Sequence, residues 1–185
     1  MLEWTSHPDR LDMVLRGAGL EALEALPNPR VHRRAAVRAV IERDGLMLMT
    51  YSETVGDYGF PGGGLEDGES LDQALRRELR EEIGADLIRV EAHLGTVTQR
   101  RPSLHPGRAD IFEAVHEYLA CVVIENRHPV LLEPYERDLA MVARWVEPAV
   151  ALQANRAIAA ELNSANPWIP REIFVLEWLI ARRGS

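Results

Sequence analysis

The sequence is poor in cysteine, in long apolar runs and in basic residues. Cys121 is the single cysteine among 185 residues, so no intrachain disulfide can form, and this usage is compatible with a reducing cytoplasm. No eighteen apolar residues run together as a membrane span would need. The first twelve residues lack the basic start and apolar core of a signal peptide. We therefore expect a soluble cytoplasmic protein that does not enter a membrane.

The net negative charge limits the kinds of partner molecule that we expect. Asp and Glu number 29 against 21 Lys and Arg, giving a formal net charge of −8. An acidic chain has little general affinity for nucleic acid polymers, whose phosphates are attracted to basic surfaces. Small phosphorylated molecules stay compatible with it, because a chelated metal ion reverses the sign of a local site.

The order of predicted elements indicates an α/β domain after a short extension. Residues 9–26 are interpreted as a helix or helical pair interrupted by glycines, which predicts a helical extension over residues 1–30 and a main domain over 31–185. Asp44-Gly45 between two β-rich runs predicts a hairpin. Further elements are expected as a helix over 70–83, strands over 88–99, 114–126 and 141–146, a loop over 100–110, and helices over 148–162 and 171–183. Mixed hairpins and helices favour an α/β layered fold.

The helix expected after Ser70 has carboxylates on the face that its leucines bury. At about 100° per residue, Glu78 and Glu82 fall within or against the apolar arc and Glu81 falls beside it. The arc itself is formed by Leu71, Ala74, Leu75, Leu79 and Ile83. Like charges at this spacing repel, and burial adds a desolvation cost. Arg77 is expected to neutralise one glutamate but not three, so the pattern predicts a divalent cation, for which Mg²⁺ suits carboxylate oxygens.

Glycines precede this helix. Gly62, Gly63 and Gly64 follow Pro61, and backbone without Cβ can approach a ligand closely and present a carbonyl or an amide to it. The stretch has neither the lysine of a P-loop nor the spacing of a dinucleotide fingerprint.

Residues 63–85 resemble the sequence motif, called the Nudix box, of the MutT-like Nudix hydrolase family. The family pattern is G, five residues, E, seven residues, then R-E-aliphatic-x-E-E-x-G-aliphatic. The positions in register are Gly63, Glu69, Arg77, Glu78, Leu79, Glu81, Glu82 and Gly84. Ala85 departs from the pattern, since a bulkier aliphatic residue is usual there. The wider resemblance, over about residues 31–183, implies an α/β/α sandwich with a mixed β-sheet.

The resemblance implies a metal-dependent pyrophosphohydrolase acting on a nucleoside triphosphate or on a nucleoside diphosphate linked to another group. Glu78, Glu82 and Glu81 would bind Mg²⁺ or Mn²⁺ together with a backbone carbonyl of Gly62 or Gly63. Glu69 and Arg77 would form an ion pair that orients the site. The metal would polarise phosphoryl oxygens and lower the pKa of bound water.

Several residues are candidates for the general base and for substrate binding. Glu81 and Glu78 are the candidates for the general base within the box. Carboxylates outside the box that could reach the site are Glu113, Glu117, Glu133 and Glu136. Arg100, Arg101 and Arg108 in the expected loop suit phosphate binding, although long loops are polar in any case.

Two other classes of function compete with catalysis. A Nudix-fold module could bind a nucleotide without turnover, and an acidic cluster could bind metal for stability alone. Retention of every box carboxylate favours the enzyme. The N-terminal segment and the apolar final helix are compatible with a homodimer.

Overall fold

The computed structural model describes residues 10–105, 107–126, 128–161 and 168–183. Its elements in chain order are β1 (Leu11–Arg16), α1 (Leu20–Glu24), β2 (Val31–Arg43), β3 (Leu46–Ser52), β4 (Tyr58–Gly59), α2 (Leu71–Ile83), β5 (Ala85–Pro102), β6 (Ile111–Glu125), α3 (Pro134–Asp138), β7 (Met141–Val146), α4 (Pro148–Glu161) and α5 (Ile169–Arg183). None of the helices in these ranges is long and apolar enough to cross a bilayer.

The strands form one mixed sheet in the order β1-β5-β6-β2-β3-β4, with β7 added beside β3. β1 runs parallel to β5 and β2 runs parallel to β6, whereas β5 and β6 are antiparallel. The hairpin predicted at Asp44-Gly45 is confirmed: φ is 51° at Asp44 and 83° at Gly45, and the positive values match the right-handed twist of the two strands.

Two apolar clusters lie on opposite sides of the sheet. Leu75 and Leu79 of α2 pack with Val37, Ala39 and Ile41 of β2 on one side. The second cluster contains apolar residues of α5 together with β1, β3 and β6 residues. The predicted α/β/α arrangement with a mixed sheet is confirmed, and Cys121 is buried in the first cluster as an apolar residue would be.

The N-terminal segment differs from the helical prediction for residues 9–26. Residues 11–16 form strand β1, paired with Gly95–Arg100 of β5, and only Leu20–Glu24 is helical. Leu11, Met13 and Leu15 are buried, which is the period of two that a strand requires. The prediction of a helical extension is therefore wrong for residues 11–16, because they form β1 and join the main sheet. The domain boundary at residue 30 stays a prediction, and residues 1–9 lie outside the described part of the chain.

The central strands are longer than predicted. β5 continues to Pro102, so Arg100 and Arg101 lie in a strand and not in the loop expected over 100–110. The predicted strand over 141–146 and the helix beginning at Pro148 are confirmed. The expected end of that helix, residue 162, is outside the described residues.

Candidate functional site

Helix α2 is fixed at both ends by its own sequence. The Ser70 side chain accepts a hydrogen bond from the Gln73 amide, and the Gln73 side chain accepts one from the Ser70 amide. This reciprocal pair satisfies two amides that the helix leaves unpaired. Gly84 ends the helix with φ of 64°, a conformation that glycine adopts without a Cβ penalty. The carboxylates of α2 are therefore held on a helix with defined limits.

The predicted apolar arc is confirmed except at its first residue. Ala74, Leu75, Leu79 and Ile83 are buried, whereas Leu71 is 37% exposed. Leu71 is the first residue of the helix and lies at the end of the arc. Glu82 is buried among the apolar residues at 7% exposure, as the helical projection predicts.

Arg77 contacts several of the box carboxylates at once. Its Nε and Nη2 donate to the two oxygens of Glu69 at 3.0 and 2.9 Å. Its Nη1 donates to Glu78 Oε1 at 2.7 Å and to Glu81 Oε2 at 3.3 Å. The planar guanidinium presents five donors in a fork and so reaches three carboxylates. It carries a single positive charge, so the expectation that Arg77 neutralises one glutamate but not three stays a prediction.

The ion pair of Glu69 and Arg77 also ties the loop to the helix. Arg77 Nη2 donates to the Gly64 carbonyl at 3.0 Å. The Arg77 guanidinium lowers the pKa of the Glu69 carboxyl, so Glu69 stays ionised and the pair stays charged. The bracing role that the family resemblance implies for these two residues agrees with this geometry.

Glu82 has no arginine within hydrogen-bonding distance in the described chain. Its Oε2 accepts a hydrogen bond from the Gly62 amide at 2.7 Å. Burial raises the pKa of the Glu82 carboxyl to about 8, although the positive charge of Arg38 and the Gly62 amide oppose the shift. Burial also raises the pKa of Glu78, one helical turn away. Both carboxylates therefore lack enough positive charge to offset their desolvation.

The glycine loop lies directly against these carboxylates. A Cβ on Gly63 would lie 2.2 Å from Glu78 Oε1, and a Cβ on Gly62, where φ is 127°, would lie 2.2 Å from the Val37 carbonyl oxygen. The Gly63 carbonyl accepts from the Val37 amide at 2.9 Å, and the Gly62 carbonyl accepts from Arg38. Each carbonyl oxygen has a second lone pair, so either can still bind a cation.

The donor set fits a hard divalent cation, with one difference from the expected ligands. Among the residues that the structure describes, no group of three or more His, Cys, Asp or Glu side chains is arranged to hold a metal. The Glu81 side chain is 36% exposed, whereas burial raises the pKa of Glu78 and of Glu82, so these two are the carboxylates that need a counter-charge. Two desolvated carboxylates beside backbone carbonyl oxygens are ligands of the kind that Mg²⁺ prefers.

A cavity of about 240 Å³ adjoins the carboxylates. Of the three arginines predicted to bind phosphate, Arg101 lines this cavity. Arg100 instead pairs with Glu113 at 2.8 Å and with Glu24, and Arg108 is in the exposed turn after His105. Arg34 and Arg38 of β2 also line the cavity, and the prediction missed both because their pattern is that of ordinary strand residues.

One of the four carboxylates outside the box reaches the site. Glu136 is 4% exposed and lines the cavity with Glu82. It is held by the Glu133 amide and the Tyr135 hydroxyl, each donating at 2.8 Å. Glu113 and Glu117 are paired with Arg33 and His93, and Glu133 caps α3.

The cavity is also lined by buried polar groups that no motif indicated. Arg171 and Glu172 of α5 are buried at 5% and 1% exposure, and His116 of β6 is buried at 5%. The polar start of the final helix carries only a weak signal for the first two, because charged residues there would be expected on the surface. His116 lies in a sequence pattern typical of a core strand, and that pattern does not indicate a functional role.

Comparison with known proteins agrees with this geometry. The family profile described as NUDIX domain matches residues 32–168. The nucleoside triphosphatase NudI of Escherichia coli O139:H28 is 30% identical over 125 residues, covering 64% of this chain and 84% of NudI. A NUDIX hydrolase from Nitrosomonas europaea aligns with a TM-score of 0.51 at 22% identity, covering 83% of this chain and 90% of that structure.

The MutT protein of Bacillus halodurans aligns with a TM-score of 0.50 at 16% identity, over 65% of this chain and 72% of that structure. These two structural alignments show a shared fold. The family match spans more than half of the chain and includes the glycine loop, helix α2 and most of the residues that line the cavity. The chain belongs to the Nudix family and is a hydrolase that acts on phosphoric anhydride bonds.

Proposed function

We propose that the protein is a divalent-metal-dependent pyrophosphohydrolase. Its substrate is a nucleoside triphosphate, or a nucleoside diphosphate linked to another group, and it releases a nucleoside monophosphate. The observation that carries the proposal is the pair of desolvated carboxylates, Glu78 and Glu82, of which Glu82 lines a cavity that arginines also line. The name of NudI, a nucleoside triphosphatase, supports the triphosphate as the first substrate to test.

In this proposal Glu78 and Glu82 bind Mg²⁺ or Mn²⁺ with a carbonyl of Gly62 or Gly63. The bound metal supplies Lewis acidity at a phosphoryl oxygen and a lower pKa for bound water. Glu69 and Arg77 hold the loop and helix in register. Glu81 contacts Arg77 and completes the acidic face.

Arg101 and Arg34 are the proposed phosphate ligands. Within the described chain, neither has a carboxylate at salt-bridge distance, and both face the cavity. Burial lowers the pKa of Arg101, yet a guanidinium stays protonated in proteins. Arg100 and Arg108, which the sequence suggested for the same role, are engaged elsewhere or exposed, so we give them no direct contact.

Glu136 joins Glu81 and Glu78 as a candidate for the group that takes a proton from water. It is a buried carboxylate near Glu82 in the same cavity. Two donors hold it in place, which fixes its direction as a general base requires. Glu78 and Glu81 both accept hydrogen bonds from Arg77, so all three carboxylates are held in place and stay candidates.

The direct test is hydrolysis of a mixed panel. Purified protein is incubated with nucleoside triphosphates, ADP-ribose, nucleotide sugars and dinucleoside polyphosphates, with Mg²⁺, with Mn²⁺ and with a chelator, and the products are identified by mass spectrometry. Metal-dependent loss of one compound with release of a nucleoside monophosphate is expected. Loss that persists in the chelator would contradict the metal requirement.

A nucleotide-binding module without turnover is the second candidate. The observation that favours it is that the described residues contain no ready cluster of three acidic ligands. This candidate predicts that nucleotides raise the melting temperature while no panel compound is consumed with either metal. A homodimer and a cytoplasmic location also stay predictions, and light scattering tests the first of them.

A further inference from the structure

The cavity beside the carboxylates extends across the sheet from β5 to β4. Arg101 of β5 lines one side and Gly59 of β4 lines the other, and β6 and β2 lie between these two strands. The glycine loop also lies between them, where Gly64 forms a bridge to Ala36 of β2. Arg34 and Arg101, the proposed phosphate ligands, are therefore on the β2 and β5 side of the loop. The β4 side is left for the part of the substrate beyond the phosphates.

Asp57, directly before β4, is a buried acidic side chain on this second side. It is 6% exposed and lines the cavity. Its Oδ2 accepts a hydrogen bond from Trp168 Nε1 at 2.8 Å. Within the part of the chain that the structure describes, no second donor and no arginine or histidine contacts this carboxylate. A buried carboxylate with a single donor has lost more hydration than the protein replaces.

The second oxygen of Asp57, Oδ1, is accessible from the cavity. Neither oxygen of Asp57 is among the polar atoms of the described side chains that are both buried from solvent and unpaired. Since Oδ1 has no donor, it must keep accessible surface, and that surface faces the cavity that Asp57 lines. A carboxylate oxygen only accepts hydrogen bonds. A ligand atom that reaches Oδ1 must therefore be a donor.

The neighbouring backbone fixes the direction of the Asp57 side chain. The Asp57 carbonyl accepts from the Ser52 amide at 3.0 Å. Asn155 of α4 is fully buried, and its Oδ1 accepts from the Tyr58 amide at 2.8 Å while its Nδ2 donates to the Tyr58 carbonyl at 2.9 Å. These contacts and the bond from Trp168 hold Asp57 in place before any ligand binds, which lowers the entropic cost of binding.

The surface of the cavity near Asp57 is apolar and partly aromatic. The apolar side chains that line the cavity on this side are Phe60, Leu139, Met141 and Trp168. A planar nucleobase packs well on such a surface, with one polar group left to fix its orientation. A ribose presents several hydroxyl groups and suits this surface less well.

We propose that Asp57 is a specificity-determining residue, whose Oδ1 accepts a hydrogen bond from the exocyclic amino group of the substrate's nucleobase. The inference rests on the proposed function and assigns the group beyond the phosphates. A carbonyl oxygen in the same place would face the carboxylate with a second acceptor, which disfavours binding. ATP and CTP, which carry the amino group, are therefore preferred over inosine triphosphate and UTP, which carry a carbonyl there.

The first experiment measures kcat/KM for ATP against inosine triphosphate and for CTP against UTP. Wild type is expected to prefer the amino member of at least one pair by about tenfold or more, as one hydrogen bond to a charged group supports. Asp57→Asn should reverse this preference, because its amide oxygen can accept from Trp168 while its Nδ2 donates to a carbonyl. A wild-type ratio in Asp57→Asn, or equal loss of both members of the pair, would overturn the proposal.

Asp138→Asn is the matched control. Asp138 is an exposed residue of α3 that does not line the cavity, and the variant removes the same charge close to the site. It should keep the wild-type ratio of the amino and carbonyl members. A ratio that changes equally in Asp138→Asn and Asp57→Asn would show an effect of net charge and overturn the proposal.

The ribose is the other source of a donor in a nucleotide, and 2′-deoxy substrates distinguish it from the base. Asp57→Asn should change the ratio of kcat/KM for ATP and dATP by less than about twofold, because the ribose makes no contact with Asp57 in this proposal. A variant that loses a preference for ATP over dATP, while its ratio of ATP to inosine triphosphate stays at the wild-type value, would place the ribose at Asp57 and overturn the proposal.

NMR of the wild-type protein tests the contact without any change to Asp57. The indole N–H signal of Trp168 is identified by its absence in Trp168→Phe. It should shift on titration with AMP or CMP at concentrations at which IMP or UMP leaves it in place, because a ligand at Oδ1 alters the carboxylate that accepts from this N–H. Equal response to the two members of each pair, or no response to any, would overturn the proposal.

A binding measurement separates this proposal from the proposed function. If wild type consumes no compound with Mg²⁺ or Mn²⁺, the proposed function fails, and calorimetry with AMP, IMP, CMP and UMP on the metal-free protein tests Asp57 alone. A preference for the amino member of a pair that reverses in Asp57→Asn supports the proposal. Equal affinity for the members of both pairs, or no binding of any of the four, overturns it.

Discussion

The two faces of strand β2 have opposite chemistry. Val37, Ala39 and Ile41 point to α2 and belong to a dry apolar cluster, whereas Arg34, Ala36 and Arg38 point to the cavity between the sheet and α5. Residues two apart share a face of a strand, so one short stretch of chain builds both surfaces. The apolar face stabilises the fold and the polar face forms the site.

Helix α2 repeats this contrast within one turn. Leu79 is fully buried against the apolar cluster, and Glu82 is almost as buried but lines the cavity. A buried leucine gains free energy from transfer out of water, while a buried carboxylate loses hydration and needs a counter-charge. Substitutions on the two sides should therefore affect different observables.

The largest effect is expected from Glu82→Gln. Losing one of the two desolvated carboxylates should lower kcat/KM by roughly 100-fold or more, as the loss of a metal ligand does. Stability without metal should change by less than about 1 kcal/mol, because the amide resembles the protonated carboxyl of similar shape. Steady-state kinetics and urea unfolding in a chelator measure the two quantities.

The control for Glu82→Gln is Glu91→Gln, at an exposed residue of β5 paired with Arg89. It should leave both quantities at their wild-type values. A Glu82→Gln enzyme with near wild-type turnover would refute the assigned metal site.

Leu79→Ala tests the apolar side of helix α2. Deleting a fully buried leucine from a packed core costs about 2–5 kcal/mol of unfolding free energy, while kcat/KM of the folded fraction should stay within about threefold of wild type. Urea titration measures the first. Leu71→Ala on the same helix should cost only about 0.5 kcal/mol, because Leu71 is 37% exposed. Equal losses for the two leucines would contradict the described packing.

Arg77→Lys tests the brace between loop and helix. A lysine cannot hold both Glu69 oxygens and the Gly64 carbonyl in one plane, so we expect about a tenfold rise in the metal concentration that gives half-maximal activity. Arg76→Lys is the neighbouring control, since Arg76 pairs with the exposed Asp72. An unchanged metal requirement in Arg77→Lys would show that the brace does not orient the ligands.

The smallest effect should come from Asp86, which lies outside both faces. Hydrogen bonds from His128, Asn126 and Arg80 lower the pKa of its carboxyl in the folded state. A lowered folded pKa gives stability that is present above the unfolded pKa and is lost as pH falls through the folded pKa. Asp86→Asn should thus lower the melting temperature slightly at pH 7, and the difference from wild type should shrink as pH falls below about 4. A difference in melting temperature that grows as the pH falls would contradict a lowered folded-state pKa for Asp86.

Local signals predict the elements whose contacts are close in sequence. The serine cap, the leucine spacing and Gly84 define the limits of α2, and Asp44-Gly45 identifies the hairpin. The box spacing alone is enough to place Glu69, Arg77 and Glu78 together, because one helix and the loop beside it hold all three.

Sequence patterns give wrong predictions where pairing between strands that are distant in the chain determines the structure. The helix predicted over residues 9–26 is wrong at β1, where Leu11, Met13 and Leu15 alternate as a strand does and the partner strand β5 lies far along the chain. Arg100 is expected in a loop, but β5 continues through it, and there it pairs with Glu113 on the adjacent strand. Tertiary pairing overrides local preference at such positions.

The sequence by itself determined the acidic helix, its glycine loop and the family to which the chain belongs, because those features lie within residues 62–85. The tertiary structure decided the cavity between the sheet and α5, since strand register and the docking of α5 bring together residues as distant as Arg34, His116 and Arg171. One hydrogen-bonding contact joins His116 of β6 to Arg171 of α5. Spacing along the chain carries no information about such a contact, because the free energy that fixes it comes from burial and packing of separate elements.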